Sequence, residues 1–212
     1  MNRINYDKVM QEIIQKEKEP GHVPALLLHS CCGPCSSAVL ERLTPDFELT
    51  VFYYNPNIWP EEEYSKRVQE QERLIRSFPA VNPIHFLAGE YIPADFYQAA
   101  KGLEDAPEGG ARCRECFRLR LTEAARKAAE LQMDYFTTTL TVSPLKNAEV
   151  LNAVGEEIAA DYTGLRFLPS DFKKRNGYKR SCELSAEFGM YRQDYCGCIF
   201  SYRARHPEDA QS

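Results

Sequence analysis

Apolar and polar positions along this chain switch repeatedly between a short continuous run and a helical spacing, which is the pattern of a parallel α/β protein. Pro24-Ala25-Leu26-Leu27-Leu28 is an apolar run, and Ala38-Val39-Leu40-Glu41-Arg42-Leu43 behind it has helical character. Run, turn and helix make a first β-α unit. A second strand is predicted over Leu49-Thr50-Val51-Phe52-Tyr53-Tyr54. It is followed by the loop Asn55-Pro56-Asn57-Ile58-Trp59-Pro60 and a helix that opens on Glu61-Glu62-Glu63 and buries Tyr64, Val68, Ile75 and Phe78. Ile84-His85-Phe86-Leu87 is a third strand, and 91–101 a helix. From Cys116 to Leu131 the period is strongly helical, with Phe117, Leu121, Ala124, Ala125, Ala128 and Leu131 on one face. Tyr135-Phe136-Thr137-Thr138-Thr139-Leu140 is β-branched and aromatic, a fourth strand ending in the polar loop Thr141-Val142-Ser143-Pro144. A helix over 147–160 with Val150, Leu151, Val154 and Ile158 inward leads to a fifth strand at Arg166-Phe167-Leu168-Pro169.

The organisation that follows is a polar helical extension over 1–22, one α/β domain over 23–202 and a frayed tail over 203–212. The extension carries Ile4, Val9, Ile13 and Ile14 on its apolar side and packs on the outside of the domain. The loop 104–110 is rich in charge and in breakers and reads as mobile. Ser181-Cys182-Glu183-Leu184 and the helix around it belong to a cysteine-containing C-terminal extension of the sheet. No internal repeat is present.

Charge and composition narrow the class. The 212 residues suffice for one domain with a full core. A net charge of −5 excludes a globally basic nucleic-acid binder, so any such site is a local patch. No apolar run reaches membrane-spanning length, and Met1-Asn2-Arg3-Ile4-Asn5-Tyr6-Asp7 lacks the apolar core of a signal peptide, so a cytoplasmic location is expected. Thiols stay reduced there, and eight cysteines then point to metal or redox chemistry before a disulfide framework.

Three of those thiols fall within His29-Ser30-Cys31-Cys32-Gly33-Pro34-Cys35-Ser36, at the carboxyl end of the first strand, where open α/β sheets bind ligands. Pro34 suits a first helical turn, and the helix N-terminus favours thiolate over thiol. Cys113 and Cys116 form a second pair at a helix start, and both loops can meet at one sheet edge. Four thiolates in two pairs suit zinc or an iron–sulfur cluster. Adjacent Cys31 and Cys32 fit the two-to-four-residue spacing of structural zinc sites poorly, which favours the cluster. Cys35, one turn on, is a spare ligand, a ligand to a second iron, or a packing residue. Cys196 and Cys198, separated by Gly197, are either a redox pair or two more ligands.

A second constellation is basic. Residues 166–180 carry Arg166, Lys173, Lys174, Arg175, Lys179 and Arg180 against Asp171, with Phe167, Phe172 and Tyr178 interleaved. Such a stretch is either a solvated basic face or a surface for a nucleic-acid backbone and an unstacked base. Arg112, Arg114, Arg118 and Arg120 join it if the loops converge. Trp59 is either a packing residue or a stacking platform.

Together these motifs resemble the QueH family of epoxyqueuosine reductases. The similarity is carried by the thiol stretch 29–36, Tyr54-Asn55-Pro56-Asn57-Ile58, Arg112-Cys113-Arg114-Glu115-Cys116, Thr138-Thr139-Leu140 with Ser143-Pro144, and Tyr191-Arg192-Gln193-Asp194-Tyr195-Cys196-Gly197-Cys198. It spans roughly residues 24–202. The resemblance implies a Rossmann-like, nucleotide α-hydrolase (HUP-like) parallel sheet. It implies removal of the epoxide oxygen of epoxyqueuosine in tRNA, the last step to queuosine. It further implies a [4Fe-4S] cluster on Cys31, Cys32, Cys113 and Cys116, an additional iron for which Cys35 is a candidate ligand, and a redox-active pair at Cys196 and Cys198. The expected tRNA contacts are Asn55, Asn57, Ser143, Lys173, Lys174, Arg175 and Arg180. The alternatives are an ATP-dependent tRNA-modifying enzyme of the same fold, whose phosphate loop Ser30-Cys31-Cys32-Gly33-Pro34-Cys35 lacks, or a zinc-binding RNA module.

Overall fold

The central strand, β1 (Ala25–His29), is buried on both sides and sets the geometry of everything else. The computed structural model describes residues 4–18 and 21–208. Around β1 lie β2 (Glu48–Tyr53), β3 (Ile84–Ala88), β4 (Tyr135–Thr138) and β5 (Arg166–Phe167), all parallel, in the order β3-β2-β1-β4-β5. Leu27 is opposite Thr50 on one side and Phe136 on the other. Because successive side chains of a strand point to opposite faces, Leu26 and Leu28 enter one core and Leu27 another.

The first core holds α1 (Tyr6–Lys16), α2 (Gly33–Leu43), α3 (Glu61–Ser77) and α7 (Gly177–Glu187) against the sheet through Met10, Ile14, Val39, Leu40, Leu43, Leu74 and Leu184. The second holds α5 (Ala111–Glu130) and α6 (Ala148–Ala159) through Leu121, Ala124, Ala125, Leu151 and Val154. Two shorter helices, α4 (Pro93–Ala100) and α8 (Ile199–Arg205), complete the chain. The α/β class and the parallel sheet expected from the periodicity are both present.

Boundaries differ where side chains compete with periodicity. The fourth strand stops at Thr138, because Thr138 Oγ1 accepts the Leu140 amide at 3.1 Å and starts a 3-10 turn over Thr139–Val142. α5 begins five residues before Cys116, so Cys113 and Cys116 both lie in its first two turns. α1 buries Met10 and Ile14, an i,i+4 pair, and leaves Ile4 exposed. The expected mobile loop 104–110 is tied down by buried Arg112, whose Nη1 donates to the carbonyls of Leu103, Glu104 and Ala106. The tail expected over 203–212 starts late: α8 continues through Arg205 because His206 stacks on Tyr202, with ring centroids 4.6 Å apart, and pairs with Asp194 at 3.1 Å. Residues 209–212 of that expectation lie outside the described residues, as do 1–3 and 19–20 of the N-terminal one.

Gly177 opens α7, and a Cβ there would sit 1.8 Å from the Phe172 carbonyl oxygen, a backbone atom that cannot move aside. Gly177→Ala is expected to destabilise the fold by about 1–3 kcal/mol, as overpacking does. Urea denaturation monitored by circular dichroism checks this; an unchanged midpoint would show that the 172–177 turn yields.

Candidate active site and metal centre

The strand order reverses between β1 and β4, and ligand sites of open α/β sheets form at such a switch point beyond the strand ends. The two chains leaving these strands are stitched together there. The Cys31 amide donates to Thr139 Oγ1 at 3.2 Å, and Thr139 Oγ1 lies 3.4 Å from Cys31 Sγ. Asn55, at the end of β2, donates from Nδ2 to the Ser30 carbonyl at 2.8 Å. Below them, the hydroxyls of Ser30 and Ser36 both donate to Gln71 Oε1, at 2.7 and 2.8 Å, which locks the start of α2 onto α3.

Pro34 occupies the first turn of α2, as its missing N–H favours. The turn gathers Cys31, Cys32 and Cys35, whose sulfurs all lie within 4.8 Å of one another. Cys31 Sγ and Cys32 Sγ are 3.8 Å apart. Hydrogen bonds from Cys32 and Cys35, with help from the Arg120 charge, hold the Cys31 thiol well below its ordinary range. The same contact with Cys31, together with burial, pushes Cys32 up to about 12, and Cys35 is raised by both neighbours.

Arg120, which was to join the basic patch if the loops converged, lies in the interior, 2% exposed. Its Nε stands 3.4 Å from His29 Nε2, and its Nη1 reaches Asn57 Oδ1 at 3.3 Å and Cys116 Sγ at 3.7 Å. The guanidinium therefore lies between the Cys31 side and the Cys116 side of the site. Burial and the Arg120 charge push His29 down to about 3, so its imidazole is neutral. Thr138 Oγ1 at 2.9 Å and the Tyr54 carbonyl at 3.1 Å hold the two ring nitrogens. Burial raises the Cys116 thiol. Cys113 Sγ accepts the Gly109 amide at 3.2 Å.

The C-terminal segment folds over this strand-end surface. The Trp59 amide donates to the Gly197 carbonyl at 2.8 Å, and the Tyr195 hydroxyl donates to the Trp59 carbonyl. Arg67, 2% exposed, donates from Nε to Glu63 Oε1 at 2.6 Å and from Nη1 to the Cys196 carbonyl at 3.3 Å. Gly197 has φ +130°, and a Cβ on it would meet Arg67 Nη1 and Ile58 Cγ1, each at 3.1 Å. Only glycine combines that backbone with that closeness. Cys196 and Cys198 are free thiols, and the Cys196 amide donates to Ser201 Oγ at 2.9 Å. Trp59 packs edge-on against Tyr202 with ring centroids 5.1 Å apart, while remaining 37% exposed.

Between the folded-over segment and the strand ends lies a cavity of about 380 Å³. Cys31, Cys35, Asn55, Asn57, Ser143 and Cys196 all line it, together with Arg120, Lys146, Gln193 and Tyr195. Asn55 Oδ1 is buried with no partner. A cleft of about 460 Å³ at the other end of the sheet, around Tyr135 and Arg166, contains no thiol.

The remaining predicted residues are placed as follows. Cys35, rather than Cys113 or Cys116, joins Cys31 and Cys32 in the tight group, and the α5 pair sits across Arg120 from it. Asn57 is taken up by Arg120. Phe167 and Phe172 of the basic stretch are core residues, and Tyr178, 44% exposed, is the ring that reaches the cavity. Arg166 pairs with Glu17, Arg175 with Asp7, and Arg180 with Glu41, each outside the cavity. Lys173 donates to the Thr141 and Lys146 carbonyls at 3.1 and 3.2 Å and so supports the cavity wall, and Lys174 is exposed. Arg112 and Arg118 are likewise engaged, Arg118 with Glu157. Arg67 and Lys146 were not singled out from the sequence, and Gln193 stood there only inside the 191–198 motif. Their one signal is position, on helices and loops that border the thiol motifs.

The site is built for negative charge. Arg120 Nη2 and Arg67 Nη2 are buried without a partner. The charges acting on Arg120 are those of Cys116, Cys31 and Cys196, and the first acting on Arg67 is Cys32. Orphaned buried donors facing thiols fit an anionic thiolate–metal group, whose sulfurs accept hydrogen bonds.

These features define a class: a parallel α/β protein with a thiol-rich centre at the switch point of its sheet. The family model for epoxyqueuosine reductase QueH matches residues 26–204. Proteins named epoxyqueuosine reductase QueH are similar over most of this chain. The Streptococcus pyogenes serotype M1 protein is 44% identical over 201 residues, covering 94% of this chain and 78% of the relative. The Staphylococcus epidermidis protein is 42% identical over 203 residues, covering 94% and 85%, and that of Thermotoga maritima 34% over 192 residues, covering 88% and 94%. The chain belongs to the epoxyqueuosine reductase QueH family.

Two arginines of α5 test the buried-charge account. Arg120→Ala leaves Asn57 and the thiols without their counter-charge and is expected to cost about 3 kcal/mol or more, whereas Arg118→Ala, which loses a surface pair with Glu157, costs under about 1 kcal/mol. Equal losses in urea titrations of the two variants would refute the assignment of Arg120 as the central interior charge.

Proposed function

We propose that this protein removes the epoxide oxygen of epoxyqueuosine in tRNA to give queuosine, in the cytoplasm. The observation that carries the reading is the convergence of Cys31 and Cys35 from the β1–α2 turn with Cys196 from the C-terminal segment on one cavity, in a chain of this family. Converting an epoxide to an alkene takes two electrons and two protons and releases the oxygen as water. A dithiol that closes to a disulfide gives up two electrons. Cys196 and Cys198 are the pair suited to that step.

Cys31, Cys32, Cys113 and Cys116 would hold a [4Fe-4S] cluster, and Cys35 would be left for an additional iron. The tight Cys31–Cys32–Cys35 group alone would suit a single ion, while a cluster would also draw on Cys113 and Cys116 of α5. When bound, the cluster supplies electrons and an iron with an open position supplies a Lewis acid for oxygen. The protein's own residues do the rest. Arg120 and Arg67 balance the charge of the thiolates. Asn55 Oδ1 and Ser143 offer polar contacts to a base or ribose in the cavity, and the folded-over 191–198 segment excludes water. Zinc-binding without catalysis is the competing reading, and the family assignment disfavours it.

For the tRNA backbone the expected contacts are modified by the ion pairs. Arg175 and Arg180 are engaged by Asp7 and Glu41, so they bind phosphate only in exchange for those carboxylates. Exposed Lys174, and Arg205 at the cavity, carry less of that penalty.

Anaerobic metal and sulfide analysis tests the cluster. Protein purified without oxygen is expected to be brown, and Cys116→Ser to lose iron, sulfide and queuosine formation together; a Cys116→Ser protein with full iron and turnover overturns the four-ligand assignment. Nucleoside analysis of tRNA from cells lacking the gene is expected to show epoxyqueuosine in place of queuosine. Charge reversal of Lys174 and Arg205 to Glu is expected to weaken tRNA binding and flatten its salt dependence by roughly 0.7–0.9 in log–log slope per lost phosphate contact. Iron content stays constant, and unaltered affinity at low salt removes both residues from the interface.

A further inference from the structure

Cys196 and Cys198 occupy unlike environments. Cys196 is half-buried on the cavity wall, and Lys146 Nζ donates to its Sγ at 3.1 Å. Cys198 is buried against Phe96, Ala100 and Cys116, and its sulfur accepts the Ser201 amide at 3.4 Å as the cap of α8.

Lys146 is held in place by its own backbone. Its amide donates to the Ser143 carbonyl at 3.2 Å, and its carbonyl accepts Lys173 Nζ at 3.2 Å. The turn that follows β4 therefore aims the ammonium at one sulfur. Burial works against that charge, yet Cys196, by charge and by hydrogen bond, holds the ammonium protonated above its ordinary range. The other groups around Cys196 are Arg67 from α3 on its carbonyl, Ser201 from α8 on its amide, and Arg120 and Cys116 from α5 acting through charge.

We propose that Lys146 is a positioning residue that holds Cys196 as a thiolate facing the cavity, so that Cys196 rather than Cys198 is the reactive member of the pair. An ammonium at hydrogen-bond distance favours thiolate over thiol, and the thiolate is the nucleophile. The inference rests on the proposed function only for what the pair reduces. In that reaction the Cys196 and Cys198 sulfurs join in an S–S bond and give up two electrons. The epoxide C–O bonds break, and the oxygen leaves as water with one proton from Cys198 and one from solvent. An external dithiol then opens the S–S bond by exchange and restores both thiols.

The test is alkylation by iodoacetamide at pH 7 of the reduced, iron-loaded protein, with the rate at each cysteine read from its peptide by mass spectrometry. Cys196 is expected to react about tenfold or more faster than Cys198. Lys146→Met is expected to slow Cys196 about tenfold, and Lys146→Arg, which keeps the charge, to stay within about threefold of wild type. Three results overturn the proposal: Cys198 reacting faster in the wild type, an unchanged Cys196 rate in Lys146→Met, or Lys146→Arg falling as far as Lys146→Met. The wild-type ratio and the arginine variant decide the matter even where Lys146→Met fails to fold. No tRNA is present in this assay. A protein that keeps the Cys196 preference but makes no queuosine therefore refutes the proposed function and leaves the role of Lys146 intact.

Discussion

A guanidinium buried at the centre of a thiol-rich site is the constraint on which this structure turns. Taking Arg120 out of water costs several kcal/mol unless its charge and its donors are met. Asn57, the neutral His29 ring and Cys116 meet part of that demand, and the thiols around it supply the rest as charge. The dependence runs both ways. Cys31 is held low partly by Arg120, and His29 is kept neutral partly by it, so one cation favours an anion at one neighbour and an uncharged base at the other. Its remaining Nη2 donor and that of Arg67 have no hydrogen-bond partner among the described residues. A site with surplus buried donors is prepared for an anion that the chain does not itself contain.

The sheet order decides where that preparation happens. Because β4 follows β1 across the switch point, the loops after them diverge to opposite faces and leave a crevice that Cys31 and Leu140 line from either side. The crevice would be open to water without the C-terminal segment. That segment adds no strand; besides the burial of Tyr195 and Cys198, it is held by Arg67, by the Trp59 amide and by the Tyr195 hydroxyl, all directed at backbone groups or at one another. Anchoring through the main chain leaves the side chains of Gln193 and Cys196 to face the cavity.

How much of this was legible in the sequence depends on the range of the interactions involved. The five strands and their helices follow from local periodicity, and each strand-end loop that mattered was visible as a thiol, Asn-Pro or Ser-Pro motif. Asn55, Ser143, Cys31, Cys35 and Cys196, each from such a loop, line one cavity. The basic stretch 166–180 misled because charge density along a sequence says nothing of partners. Asp7, Glu17 and Glu41, remote in sequence, each take one of its cations, and Phe167 and Phe172 turn into the core. Arg120 shows the same limit in reverse: nothing local marks a helix arginine as interior, and only the convergence of His29, Asn57 and Cys116 shows it. Thr138 ended its strand early through a side-chain bond that β-propensity does not register.

The β1–α2 turn also decides between reductive and nucleotide chemistry. A phosphate bound at a helix N-terminus needs free N–H groups, open space beside a glycine and positive potential. Here Pro34 removes one N–H. Gly33 is already packed by Glu70 Cγ and Met190 Sδ, at 3.5 and 3.6 Å from the position of a Cβ, and Glu70 is an acid held by Arg73 and the Tyr191 amide. The dipole of α2 is thus spent on Cys31, Cys32 and Cys35 rather than on a phosphate. The fold keeps its ligand position at the strand ends, and the residues placed there are three clustered thiols that could hold a metal ion, not a cradle for a phosphate ester.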